Sequence, residues 1–131
     1  MRNVFVVLAI AAGLFACGKG DGKAASSSGR DGVIAAWQKA GLTVSALTPD
    51  KSGAIGADCA TGTVSGVDVV LCTFATADDA KAAEANGLTW VGRSTGAALA
   101  QDRMVMAVAD RRAADPSGRT INTIAKTFRG R

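Results

Sequence analysis

The segment from Ala57 to Phe74 constrains the fold of this chain more than any other. Two runs of strand-forming residues, ADCATGTV over 57–64 and VDVVLCTF over 67–74, flank Ser65-Gly66. A Ser-Gly pair in that position makes a two-residue hairpin turn. Val64 then faces Val67, and the numbers of each facing pair sum to 131, a condition that Cys59 and Cys72 meet. Facing pairs alternate between hydrogen-bonded and non-hydrogen-bonded sites, starting hydrogen-bonded at the turn. The pair 59:72 therefore falls on a non-hydrogen-bonded site, where Cα atoms stand ~4.5 Å apart. A disulfide spans that gap. The alternative is two buried thiols, since cysteine also serves as a small core residue.

Other elements follow from periodicity and caps. Ser28, with Asp31 three residues on, caps a first helix whose inner face carries Val33, Ile34 and Trp37, and Gly41 stops it. Leu42 to Leu47 alternates as a strand, and 49–56 reads as a loop. Thr76 caps a second helix, with Asp78 and Asp79 in its first turn, running to about Asn86 and stopping at Gly87. Residues 88–100 are ambiguous: Thr89-Trp90-Val91 reads as a short strand, and Thr95 as the cap of a brief helix over 96–100. Arg103 to Ala109 is a strand. Asp115-Pro116 opens a last helix, with Ile121, Ile124, Ala125 and Phe128 on one stripe. Trp37, Trp90, Met104 and Met106 are expected in the core. The expected fold class is α+β, a small antiparallel sheet with about three helices packed on one face, formed by residues 31–131.

The N-terminal part has a different character. Met1-Arg2-Asn3 leads into Val4 to Leu14, an unbroken apolar run of eleven residues. As a helix this run would reach about 17 Å at ~1.5 Å per residue, too short for a hydrocarbon core of ~30 Å. It has the form of an export signal instead. Leu14-Phe15-Ala16-Cys17 resembles the lipobox of bacterial lipoproteins, with Leu14, Ala16 and Cys17 matching and Phe15 bulkier than usual. That resemblance implies a signal peptide over 1–16, lipid on Cys17 and attachment to a membrane. Gly18 does not match the aspartate that favours retention in the inner membrane. The implied location is thus the inner leaflet of an outer membrane, facing the periplasm. Residues 17–30 comprise the lipidated cysteine and a Gly/Ser-rich tether, which would span roughly 20 Å. Lipidation of Cys17 leaves Cys59 and Cys72 as the remaining cysteines, and an oxidising compartment favours their pairing.

The chemistry available is narrow. The chain contains neither histidine nor tyrosine. Gly92-Arg93-Ser94-Thr95-Gly96 fits the GxSxG pattern, but a nucleophile elbow needs a preceding strand, a following helix and a base. A glycine-rich turn is the favoured reading. No spacing of acids or cysteines suggests a metal site, and no cofactor is expected. From Arg93 to Arg131 eight basic residues stand against three acids, so this stretch is basic. Arg111, Arg112 and Arg119 form the candidate face for an anionic partner. The expected function is a non-catalytic, membrane-anchored domain that binds a protein or envelope component, with no nucleic-acid partner. The alternatives are a carrier of an apolar small ligand and a small hydrolase using Ser94.

Overall fold

A computed structural model describes residues 29–130. Cys17 and the expected signal and tether before Gly29 lie outside the described residues. The elements are α1 (Arg30–Lys39), β1 (Thr48–Asp50), β2 (Asp58–Val64), β3 (Val67–Thr73), α2 (Ala77–Val91), β4 (Thr95–Gln101), β5 (Met104–Asp110) and α3 (Arg119–Arg129). The five strands form one antiparallel sheet in the order β1-β2-β3-β5-β4. The fold is α+β, as the sequence leads one to expect.

The central hairpin has the register read from its turn. Val64 pairs with Val67, and Cys59 with Cys72. Ser65 and Gly66 both have positive φ, 49° and 92°, as a hairpin turn of the I′ kind requires. Cys59 and Cys72 are joined by a disulfide across a Cα separation of 4.0 Å.

The helices do not share one face. Alternate residues of the central strands point to two separate cores. Val67, Val69 and Leu71 of β3 and Met104, Met106 and Val108 of β5 pack with Val33 and Trp37 of α1 and with Ile121, Ile124 and Phe128 of α3. Val70, Cys72, Val105, Ala107 and Ala109 pack on the other face with Ala80, Ala83 and Val91 of α2. The crossover from β3 through α2 to β4 puts that helix opposite the other two. β3 and β5 are therefore buried on both sides, which explains their nearly unbroken apolar sequence.

Several boundaries differ from expectation. The strand expected over 42–47 reduces to a single bridge, Val44 with Val64, while Thr48-Pro49-Asp50 pairs with β2 at the sheet edge. Proline is tolerated there because an edge strand does not need every N–H. A helix of fifteen residues, α2, absorbs Thr89-Trp90-Val91, and the segment expected as a brief helix is β4. Gly87 does not stop α2. It is buried, and a Cβ on it would stand 2.9 Å from the Ala98 Cβ, so glycine here lets the helix lie close on the sheet. The last helix starts at Arg119, because Asp115-Pro116-Ser117-Gly118 first makes a turn closed by the Gly118 N–H on the Asp115 carbonyl, 3.0 Å. Ser28 lies outside the described residues, and Gly29 occupies the cap position of α1 without a side-chain bond. Gly41, at φ 92°, ends α1 as expected, with the Leu42 N–H on the Trp37 carbonyl and the Gly41 N–H on the Gln38 carbonyl.

Candidate functional site

Two of the three expected basic residues lie together. β5 ends at Asp110, and its pairing puts Ala109 opposite Asp68 of β3. The chain then turns, so that Arg111 and Arg112 reach back over Asp68. Arg112 Nη2 stands 2.9 Å from Asp68 Oδ1, and Arg111 Nη1 stands 3.6 Å from Oδ2. Arg112 also donates to the Gly66 carbonyl at 3.0 Å. Arg111 donates to the Trp90 carbonyl and stacks over the Trp90 ring, 4.2 Å from its centroid. Trp90 is half-buried against the α2-side core. Asp68 is only 18% exposed, whereas the arginines stay at the surface. Much of their charge is thus directed inward at one carboxylate. The signal in the sequence is a lone acid inside VDVVL, a strand otherwise apolar.

Arg119 stands apart from this cluster, exposed at the first position of α3. The loop between them is held by carboxylates. Asp110 accepts from the Ala114 N–H at 2.8 Å and the Asp115 N–H at 2.9 Å. Asp115, buried, accepts from the Ile121 N–H at 2.9 Å, and that bond holds its carboxyl below the usual range. Across the molecule Asp58 is also lowered, by the Thr73 hydroxyl first and by Arg30, 3.0 Å away, second.

Ser94 sits in the short turn from α2 to β4, its N–H on the Val91 carbonyl at 3.2 Å. Helix precedes and strand follows, the reverse of the order a nucleophile elbow requires. Among the described residues no three His, Cys, Asp or Glu side chains group as metal ligands, and no helix is long and apolar enough to cross a membrane.

A cleft of about 610 Å³ opens where β3 ends and β5 begins, beside Gly29. Phe74, Ala77 and Met104 give it apolar lining, and Asp102 and Arg103 add charged groups. Trp37 is fully buried, and its indole N–H donates to the Ile124 carbonyl at 3.1 Å. Comparison with family models, curated proteins and solved structures yields no match to this chain.

Proposed function

We propose that this chain is a lipoprotein of a bacterial envelope, anchored by lipid on Cys17, whose folded domain faces the periplasm and binds a protein or envelope component without catalysing a reaction. The observation that carries the reading is Leu14-Phe15-Ala16-Cys17 at the end of the apolar run from Val4. The disulfide is in keeping with it, since such bonds persist in oxidising compartments. The non-catalytic reading rests on the lack of histidine and on the helix-to-strand setting of Ser94. Replacing Cys17 by Ser tests the anchor: incorporation of a fatty-acid analogue into the chain should vanish. Equal labelling of both proteins would sink the reading.

The anionic-partner face is proposed in reduced form. Arg119 carries more of it than Arg111 and Arg112, which Asp68 already engages. A second reading, a carrier of an apolar small ligand, draws on the cleft beside Phe74 and Met104.

A further inference from the structure

We propose that the outer edge of β4 is a homodimer interface, where two copies of this chain pair their β4 strands antiparallel and join their sheets into one. The hairpin geometry fixes which groups point outward. Asp102-Arg103 is the turn, so Gln101 and Met104 face each other as a hydrogen-bonded pair, and residues 99, 97 and 95 likewise turn their N–H and C=O groups to β5. Gly96, Ala98 and Ala100 turn theirs away from the sheet. The Ala100 N–H bears this out, since it donates to Glu84 Oε2 at 2.8 Å. The N–H groups of Gly96 and Ala98 find no acceptor among the described residues.

Exposed edges are ordinarily blunted by charge, proline or brevity. The opposite edge, β1, is blunted in all three ways: it has three residues, TPD, with Pro49 and Asp50. β4 has seven, TGAALAQ, with neither charge nor proline. Beside it stands Leu88, 55% exposed and the only large hydrophobic side chain left open among the described residues. α2 runs antiparallel to β4. Glu84 reaches Ala100, Gly87 lies over Ala98, and Val91 lies over Gly96. Leu88 is one helical turn beyond Glu84, so it flanks the β4 edge at the level of Ala98.

A second copy fits this edge because the edge complements itself. Pairing Gly96 with the partner's Ala98, about a twofold axis at Ala97, gives every free donor an acceptor on the other strand and leaves the bond from Ala100 to Glu84 in place. The side chains of the segment centred on that axis, Gly96-Ala97-Ala98, are small. The same axis brings Leu88 toward the partner's Leu88 on the α2 side and covers both. It also sets the exposed Arg93 at the level of the partner's Glu84, a pairing of opposite sign.

The test is oxidative cross-linking of the purified full chain carrying Ala97→Cys, read on non-reducing gels. The two introduced thiols would face each other at a non-hydrogen-bonded site, within disulfide reach. A reducible dimer is expected. Adding Leu88→Glu, on an exposed position, should cut its yield at least tenfold with the far-ultraviolet spectrum unchanged. Three results would overturn the proposal: Ala97→Cys stays monomeric while its thiol alkylates freely, Leu88→Glu leaves the yield unchanged, or Thr48→Cys on the opposite edge cross-links equally well.

Discussion

Asp68 and Asp115 are the carboxylates through which single residues shape the surface around β5. Asp68 engages two guanidinium groups with one carboxylate while 18% exposed. Its replacement by Asn should leave Arg111 and Arg112 facing each other without a counter-charge, at a cost of about 1–2 kcal/mol in urea unfolding. The same variant should bind anionic vesicles more strongly than the unaltered chain, because charge now directed inward turns to solvent. Asp115 acts through its ionised form, which accepts the Ile121 N–H. A carboxyl lowered by folding stabilises the fold above its unfolded value, about 3.9, and that contribution is lost as pH falls through the lower folded value. Asp58 adds in the same direction, though its exposure lets solvent screen it. Asp115→Asn is therefore expected to flatten the loss of stability below about pH 4, measured as the urea midpoint across a pH series. At this scale the sequence is uneven as a guide. The pairing of Cys59 with Cys72 follows from turn arithmetic, because the partners lie on one hairpin. The pairing of Asp68 with Arg111 and Arg112 depends on β3 meeting β5 across an intervening helix and strand, and no local pattern encodes that.

Gly87 shows how an element can be misread from a correct rule. Glycine commonly ends helices, yet here α2 continues to Val91 and Gly92 ends it. The reason is tertiary: the helix rests so close to β4 that a methyl group would meet Ala98. Gly87→Ala should gain up to about 1 kcal/mol of helix propensity and lose more to overpacking. The expected net is a destabilisation of roughly 1–2 kcal/mol in chemical denaturation; a more stable variant would show that the helix lifts freely. β4 carries the complementary lesson. Its GAALA sequence favours a helix locally, but β5 offers an unpaired ladder beside it, and seven paired residues outweigh the local preference. The caps at Thr76 and Gly41 were legible because a cap acts within one turn of its own residue.

For the whole molecule, β3 and β5 matter most, since each contributes to both cores. The two faces cannot melt separately while they share a strand. Trp37 reports on the α1/α3 side and Trp90 on the α2 side. Urea transitions followed by fluorescence of Trp37→Phe and of Trp90→Phe should each coincide with the far-ultraviolet transition of the same variant; separated midpoints would mean that the layers unfold independently. The expectation of helices on one face passed over a visible sign: the six residues from Met104 to Ala109 are apolar without alternation, as in a strand covered on both sides. Which helix covers which side is set by the crossover, and single segments do not reveal it. The bond from the Trp37 indole to the Ile124 carbonyl bears on the birth of the molecule. A chain that leaves a ribosome or a translocation channel amino end first carries Trp37 for 87 residues before its acceptor emerges. Until then the indole has no buried partner and α1 has only part of its seat. The core shared by α1 and the last helix is complete only once that helix has been made.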